Sequence, residues 1–316
     1  MKKKGIILIN IELSDSWLEL LVKSGFNTVG LHALYQFGGM QGHIDWLVQP
    51  ETQALLSRFE AAGITVEHQL HAVDWLLPRS LFETHPDWFR VNEQGQRVND
   101  WNLCVSSEDA LRHLEDTSYR LATLLKQKTH DYYIWGDDCL NATCHCQHCQ
   151  ALSGADQSML VTNHILRGIR RYDPAARLSF LAYQDALTVP TIKPDEGVFL
   201  EFAPIERNHR APLAGDDPAN ARIRQKLSEL LAVFPAQSTQ ILEYFLDVSL
   251  FCKWKKEDAA ALNLDGERLA SDIRWYAGLG VAGITTFAGF IDDDWRQKFG
   301  DDDIHLYGKV LNDCLR

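Results

Sequence analysis

The sequence lacks the long apolar segments that membrane proteins need. None of its apolar runs approaches the roughly 20 residues required to span a bilayer. Lysines 2–4 precede the apolar run 5–9, but that run stops at Asn10, which is short for a secretion signal, and no small-residue cleavage site follows. These features predict a cytoplasmic protein with no membrane partner, in which the first apolar run is a β-strand.

Positive charge is also scarce. Lysine and arginine number 31 against 43 aspartates and glutamates, which gives a net charge of −12. The only basic runs are short, at 2–4 and 253–256. Because nucleic-acid binding depends on lysine and arginine contacts to phosphates, this composition argues against a nucleic-acid partner. It favours a neutral or cationic small molecule.

Several common catalytic signatures are missing as well. There is no Walker phosphate-binding loop, no HExxH helix and no serine–histidine–aspartate order. No glycine-rich nucleotide fingerprint follows the first predicted strand, which disfavours a doubly wound nucleotide-binding sheet. We therefore expect no organic cofactor.

Short β-branched or aromatic runs alternate with amphipathic helical windows along the chain. The predicted strands are 5–10, 28–32, 65–70, 131–136, 178–183, 198–203, 240–246 and 283–288. Eight strand–helix units predict an α/β protein, a single (β/α)8 TIM barrel that occupies residues 1–316 as one domain. Two long connections after strands 3 and 4, at 71–107 and 137–156, are predicted active-site loops. A homo-oligomer is compatible with this sequence.

Carboxylates occur in or just after the predicted strands, near the end at which TIM-barrel enzymes place their catalytic residues. Asp137 and Asp138 end the fourth strand, Glu201 lies in the sixth, and Glu243 lies in the seventh with Asp247 at its end. Because strands 4 and 7 face each other across a barrel, Asp138 and Glu243 can flank a glycosidic bond as general acid/base and as nucleophile or base. Alternatively, Glu201 and Glu243 are buried partners of arginine or lysine.

The adjacent pair Asp137 and Asp138 admits a second mechanism. In substrate-assisted glycosidases an aspartate beside the acid orients the substrate's own acetamido group, and no enzyme nucleophile is needed. Neighbouring residues at a strand end point in different directions, so only one of the two need face the pocket. The sequence leaves both mechanisms open.

A cysteine cluster follows the fourth predicted strand. Cys144, Cys146 and Cys149 have three thiols within reach of one ion, and Cys104 can add a fourth from the preceding loop. Closed sites with four such ligands are typical of structural zinc. Free thiols or a disulfide to Cys104 are the alternatives. The odd total of seven cysteines favours reduced thiols over a secreted disulfide framework.

Aromatic and polar side chains near the predicted mouth are candidate ligands for a carbohydrate, because aromatic faces suit the apolar faces of pyranose rings. Histidines 68 and 71 on the third strand also make a metal-assisted hydrolase conceivable. A tryptophan such as Trp75 is more often part of the core under a long loop than a sugar platform, and Tyr183 and Tyr244 can either hydrogen-bond the substrate or fill the barrel. The candidate substrate-binding residues are His68, His71, Trp75, Trp135, Tyr183, Glu201, Arg207, Tyr244 and Asp247.

The order of several motifs resembles one family of glycosidase-like barrels. The motifs are His85-Pro-Asp-Trp-Phe-Arg90, Gly95-Gln-Arg97, Asn102-Leu-Cys-Val-Ser-Ser107, Gly136-Asp-Asp138, Cys144-x-Cys-x-x-Cys149, Ala203-Pro-Ile-Glu-Arg207 and Leu242-Glu-Tyr-Phe-Leu-Asp-Val-Ser-Leu-Phe251 with Lys253-Trp-Lys255. They span roughly residues 65–290 and resemble the family catalogued as domain of unknown function 4838, whose members often occur near carbohydrate-degrading genes. The resemblance implies a glycoside-hydrolase-like barrel with Asp138 at the site and the cysteines as a family feature. Asp137 departs from the small or amide residue of the family motif.

The residue patterns and this resemblance together predict a glycoside hydrolase that acts on a short oligosaccharide or glycoside taken into the cell. Asp138 is the expected general acid/base, with its pKa raised by Asp137, and Glu243 is the expected nucleophile or base. The alternatives are a metal-assisted hydrolase that uses His68 and His71, and a carbohydrate-binding barrel in which the carboxylates only accept hydrogen bonds from hydroxyls.

Overall fold

The computed structural model describes residues 2–315. In that range eight parallel strands pair in sequence order and close into a barrel, with β1 bonded to both β2 and β8. The predicted TIM barrel is confirmed. The strands are β1 (Lys3–Ile9), β2 (Thr28–His32), β3 (Thr65–His71), β4 (Asp131–Trp135), β5 (Arg177–Ala182), β6 (Val198–Phe202), β7 (Gln240–Glu243) and β8 (Gly283–Phe287).

Eleven α-helices accompany these strands in the described range. They are α1 (Asp15–Ser24), α2 (Gly39–Leu47), α3 (Pro50–Ala61), α4 (Val73–Leu76), α5 (Glu108–Leu125), α6 (Gly154–Arg170), α7 (Pro218–Leu231), α8 (Val248–Phe251), α9 (Gly266–Gly278), α10 (Asp293–Phe299) and α11 (Asp302–Cys314). Local signals fix several of their ends. Ser153 and Asp156 form a reciprocal capping box at the start of α6, and α1 ends at Gly25 in the left-handed conformation. None of the helices described has the length and apolar character of a membrane-crossing segment.

Each strand has one face toward the barrel interior and one toward the helices. In β7, for example, Leu242 packs with the interior residues Tyr133 and Phe199, whereas Ile241 packs with the helix-facing core. Because side chains alternate along a strand, a shift of one position moves a residue from one environment to the other. This alternation decides which of the predicted site residues reach the barrel mouth.

The two long loops pack against each other at the carboxyl end of the barrel. The β3–α5 loop contains α4 and two short antiparallel bridges, one of which joins Val91 to Arg97. The β4–α6 loop meets it where the His145 N–H donates to the Val91 carbonyl at 2.7 Å and the Val91 N–H donates to the Cys144 sulfur at 3.3 Å. The loops predicted at 71–107 and 137–156 therefore form one continuous rim.

Candidate active site

Two adjoining cavities lie at the carboxyl end of the barrel, where TIM-barrel enzymes bind their substrates. The mouth cavity, of about 460 Å³, is lined by Asp138 and Asp247 and by the aromatic rings of Trp135, Tyr183 and Tyr244. The loop cavity, of about 700 Å³, lies under the two long loops and shares Trp135 and Tyr183 with the mouth cavity. Aromatic walls with a few converging polar groups are typical of small-molecule sites.

Asp138 follows β4 and lines the mouth cavity. The Gln184 amide lies 3.4 Å from its Oδ1, and no lysine or arginine among residues 2–315 forms an ion pair with it. Burial and the neighbouring Asp138 carboxylate raise the pKa of Tyr183 above its ordinary value, so that phenol stays protonated. Asp138 is thus a carboxylate at the cavity surface without a cationic partner.

Asp247 also lines the mouth cavity, from the loop after β7. Its Oδ1 accepts hydrogen bonds from the Ser249 hydroxyl and from the Leu250 N–H at 3.3 Å, while its buried Oδ2 has no hydrogen-bond partner among the described residues. Burial raises its pKa to about 7, against the lowering effect of the Ser249 hydrogen bond. Asp247 therefore carries a proton up to about neutral pH.

Asp137 has different surroundings from its neighbour. Its Oδ2 forms a salt bridge with Arg79, its Oδ1 accepts the Asp74 N–H at 3.0 Å, and its own N–H donates to Asn102 Oδ1 at 2.9 Å. Gly136 permits this approach, since a Cβ there would lie 3.0 Å from the same Asn102 oxygen. Burial raises the pKa of Asp137 to about 6, although Arg79 lowers it. Asp137 fastens the β3–α5 loop to the end of β4 and lines the loop cavity.

Glu243 does not face the mouth cavity, contrary to the sequence prediction. Strand β7 ends at Glu243, and the alternation that turns Leu242 inward turns Glu243 toward the helices. There its Oε1 accepts the Tyr276 hydroxyl at 2.6 Å and lies 3.4 Å from Arg207 Nη1. The alternative reading of Glu243 as a buried partner of arginine describes this position.

Arg207 belongs to the same buried network. Its guanidinium forms a salt bridge with Asp272 of α9 at 2.7 Å, and its side chain is 1% exposed. It therefore cannot reach a ligand in the mouth cavity, and its predicted role as a substrate ligand there is corrected. It lines a separate cavity beyond Tyr244.

Glu201 faces the barrel interior but lies away from the mouth cavity. Burial raises its pKa to about 8, while Lys3 lowers it. Lys3 also forms a salt bridge with Glu67 at 2.7 Å, so these groups make up a polar layer inside the barrel. The Trp135 indole donates to Ser179 at 2.8 Å next to this layer. Glu201 is thus a buried interior residue that lines neither the mouth cavity nor the loop cavity, contrary to its predicted role in substrate binding.

The two histidines of β3 point to opposite faces of the strand. His68 packs outward, with its Nδ1 3.0 Å from Nε2 of His43, and burial lowers its pKa to about 4. His71 lies at the mouth, where its Nδ1 donates to the Gly136 carbonyl at 2.6 Å. Residues three apart on a strand cannot share an ion. His68 and His71 therefore do not converge on one ion, and they form no metal-ligand cluster among residues 2–315.

Of the predicted aromatic ligands, Trp135, Tyr183 and Tyr244 line the mouth cavity. Trp75 does not: it packs against the hydrophobic core, and its indole lies 3.2 Å from Gln41 Oε1 on α2. Trp75 therefore covers part of the core, which is the alternative role that the sequence analysis gave it.

Sequence reasoning missed His32 and Trp254, which both line the mouth cavity. His32 ends β2 and its Nδ1 donates to the Gln69 carbonyl at 2.7 Å; burial lowers its pKa to about 4, so the ring is neutral. Trp254 has a φ of 61°, and Gln184, beside Asp138, has a φ of 45°. Non-glycine residues in the left-handed region are uncommon and cluster at ligand sites. The sequence signal for His32 was its position at the end of the second strand, and that for Trp254 was the Lys253-Trp-Lys255 motif.

The four predicted cysteines converge where the two long loops meet. Their sulfur atoms all lie within 4.8 Å of one another, and no other group of three or more potential ligands in residues 2–315 is as close. All four thiols are free in the structure, and the Cys104 sulfur lies 3.7 Å from that of Cys146 and 3.9 Å from that of Cys149. Hydrogen bonds from Cys144 and Cys149 hold the pKa of Cys104 well below its ordinary value. Four convergent thiols are the donor set of structural zinc sites.

The closed barrel is shared with solved structures of several glycoside hydrolases. It superposes over 99% of its length on a β-galactosidase from Rahnella sp. R3, with a TM-score of 0.64, 13% identity and 56% of that chain covered. The broad-specificity endoglucanase from Clostridium cellulovorans gives a TM-score of 0.56 at 12% identity, covering 100% of this chain and 94% of that one. An α-L-fucosidase from Paenibacillus thiaminolyticus gives 0.54 at 12% identity, over 99% of this chain and 49% of that one.

The chain spans little more than half of the β-galactosidase, and identities this low show the shared fold alone. A search of curated proteins found no significant match. The family model described as "Domain of unknown function (DUF4838)" matches residues 40–286, so the chain belongs to that family. The family predicted from the motifs is confirmed.

Proposed function

We propose that the chain is a glycoside hydrolase acting on a small oligosaccharide or glycoside, with residues 1–316 as one catalytic domain and 71–107 and 137–156 as its active-site loops. The observation that carries the proposal is the pair Asp138 and Asp247. They come from strands 4 and 7, on opposite sides of the barrel, and line one aromatic cavity without a lysine or arginine partner among the described residues. Glycosidases place two carboxyl groups on either side of the scissile bond.

The surroundings of the pair suggest a role for each member. Asp247 holds a proton to about pH 7 and has an unpartnered oxygen, which suits a general acid that protonates the leaving oxygen. Asp138 suits the complementary role of base or nucleophile. This assignment replaces Glu243 by Asp247 and exchanges the role first given to Asp138. Asp137 is neutralised by Arg79, which weakens the case for substrate assistance.

The cavity walls fit a sugar ring. Trp135 and Trp254 offer aromatic faces, and the protonated phenol of Tyr183 can donate a hydrogen bond to a hydroxyl. Because His32 donates through Nδ1 and is neutral, its Nε2 is an acceptor for a hydroxyl proton. Donors, acceptors and aromatic faces in one cavity support a carbohydrate over an apolar ligand.

The test is turnover by the purified chain on 4-nitrophenyl glycosides and short oligosaccharides, with product anomers followed by NMR. We expect hydrolysis of at least one class, and a loss of about 10³-fold in kcat/KM for Asp138→Asn. Sugar binding without turnover on any substrate would contradict hydrolysis and favour the non-catalytic carbohydrate-binding barrel.

We also propose that Cys104, Cys144, Cys146 and Cys149 hold a structural zinc that ties the two active-site loops together. The protein would then work in the reducing cytoplasm, which the seven free thiols suit. Metal analysis is expected to give about one zinc per chain. Cys146→Ser should lose it and lower Tm by roughly 5 °C or more, because structural zinc contributes directly to folding.

The matched control for the zinc site is Cys314→Ser, which removes a thiol at the far end of α11. It should keep the metal and the Tm. A chain that purifies without metal and has the same Tm with and without added zinc would contradict the zinc proposal.

A further inference from the structure

A third cavity, of about 650 Å³, lies beside the mouth cavity and shares the wall residue Tyr244 with it. We call it the side cavity. It is enclosed by the loop after β6, the loop after β7 and the start of α9, and its polar lining includes Arg207, Arg210 and Arg268. Three guanidinium groups around one cavity stand out in a chain whose net charge is −12.

Acidic groups do not fully offset these arginines inside the cavity. Asp265 is the one acidic residue of the lining, and its Oδ1 accepts the N–H groups of Glu267 and Arg268 as the cap of α9. Asp272 and Glu243, which are not part of the lining, pair with Arg207. Arg210 and Arg268 make no ion pair in the described residues, so two guanidinium groups of the cavity lining are free to pair with an acidic ligand.

Two of the three arginines, Arg207 and Arg268, are held in place by hydrogen bonds of their side chains. Arg268 Nη1 donates to the Arg210 carbonyl at 3.2 Å, which holds α9 against the β6–α7 loop. Arg207 is 1% exposed, and its Nη1 makes no hydrogen bond among the described residues although it lies 3.4 Å from Glu243 Oε1. An unused N–H on a buried guanidinium costs free energy unless an acceptor enters the cavity.

The histidine of the side cavity, His209, is neutral. His209 accepts the Arg207 Nε–H at 3.3 Å through Nδ1 and donates through Nε2 to the Ile205 carbonyl at 3.0 Å. Both ring nitrogens are therefore committed, and burial lowers the pKa of His209 to about 4. Its ring meets those of Tyr244 and Phe251 edge to face. His209 therefore adds no charge to the side cavity.

We propose that the side cavity binds an acidic group of the substrate, a carboxylate or a phosphate carried by the sugar, so that the protein selects anionic glycosides. This rests on the proposed function, because Tyr244 makes the side cavity a neighbour of the site that contains Asp138 and Asp247. Planar guanidinium groups match carboxylate and phosphate oxygens in pairs. The half-exposed Phe251 offers a ring beside them for the sugar face.

The first experiment measures binding by calorimetry to glucuronate, galacturonate, glucose 6-phosphate, inorganic phosphate, glucose and galactose. We expect at least one acidic sugar to bind about tenfold or more tightly than its neutral counterpart. The double variant R210Q/R268Q should lose that preference. The uronate and phosphate arms distinguish the two sources of the acidic group.

The control is R274Q, which removes the same charge from an exposed position of α9 away from the side cavity. It should bind as the unmodified chain does. Equal binding of acidic and neutral sugars, or a preference that survives R210Q/R268Q, would overturn the inference. So would inorganic phosphate binding as tightly as glucose 6-phosphate while the uronates do not bind, because the cavity would then hold free anions only.

A hydrolysis arm separates this inference from the proposed function. The kcat/KM for 4-nitrophenyl glucuronide is compared with that for the matching glucoside, in the unmodified chain and in both variants. If no glycoside is hydrolysed but variant-sensitive binding of an acidic sugar persists, the side cavity stands and the hydrolase proposal falls. If only neutral glycosides are hydrolysed, the reverse holds.

Discussion

The carboxyl ends of β4 and β7 each supply two acidic residues, but the two residues are spaced differently along the chain. Each has one acidic residue tied to an arginine and one that is not. At β4 these are adjacent: Asp137 is paired with Arg79, and Asp138 lines the mouth cavity. At β7 they are four residues apart: Glu243 lies beside Arg207, and Asp247 lines the mouth cavity.

This comparison teaches that the partner of an acidic residue identifies its role better than its place in the strand does. A carboxylate buried against a guanidinium is neutralised and fixed, so it holds structure together. A carboxyl group in a cavity without a cation can exchange a proton with a ligand. The ends of β4 and β7 each supply one acidic residue paired with arginine and one in the cavity. Substitutions of the two kinds of residue should therefore have different effects.

The largest expected effect is on catalysis. On a glycoside whose leaving group needs protonation, Asp138→Asn and Asp247→Asn should each lower kcat/KM by about 10³-fold, because both remove a proton-transfer or nucleophilic group. Glu243→Gln should lower it by less than about tenfold per folded molecule, since its carboxylate does not line the cavity. Steady-state kinetics on the best glycoside, normalised to folded protein, checks the contrast. An equal loss of kcat/KM in Glu243→Gln and Asp247→Asn would contradict the distinction between the two acidic residues.

The second effect is on stability and has the opposite order. Glu243→Gln should lower the free energy of unfolding by about 2 kcal/mol, because it removes one charge from a buried cluster with Arg207 and Asp272. Urea unfolding measures it. Glu229→Gln on the exposed face of α7 is the control, with an expected change within about 0.5 kcal/mol. A Glu243 variant as stable as that control would show that the ion pair contributes nothing.

A third effect is a pH dependence of stability that belongs to Asp247. Its pKa is about 7 in the folded state against 3.8 ordinarily, so between these values only the unfolded chain releases the proton. Rising pH therefore destabilises the fold over this window, and the loss of stability is complete above about pH 7.

Asp247→Asn cannot ionise and should not show that loss. Its stability relative to the unmodified chain should rise from pH 4 to pH 7, because only the unmodified chain loses stability as the pH passes through this window. Urea midpoints across that range measure the difference. Parallel pH profiles for the two proteins would show that burial does not protonate Asp247.

The barrel itself was predictable because its signals are local. β-branched and aromatic runs mark strands, and each strand needs only its own residues to be recognised. The eight strands were all found, although β7 ends at Glu243, before the predicted 246. Helix α2 has a weaker local signal, since it begins at Gly39 and contains Gly42, and glycine is a poor helix former.

The site was only partly predictable because its partners are distant in sequence. Arg79 lies 58 positions from Asp137, and Arg207 lies 65 positions from Asp272. No local pattern states which acidic residue meets which arginine. The face of Glu243 was missed for a second reason: a strand end misplaced by a few residues obscures which side chains turn inward.

The most direct test of the account is the dependence of Asp138→Asn and Asp247→Asn on the leaving group. A 2,4-dinitrophenyl glycoside departs without protonation, so a variant that lacks only the general acid should keep near-normal kcat/KM on it and lose about 10²-fold or more on an alkyl glycoside. We predict this behaviour for Asp247→Asn and a large loss on both substrates for Asp138→Asn. Unimpaired hydrolysis of both substrates by either variant would contradict the two-carboxylate site.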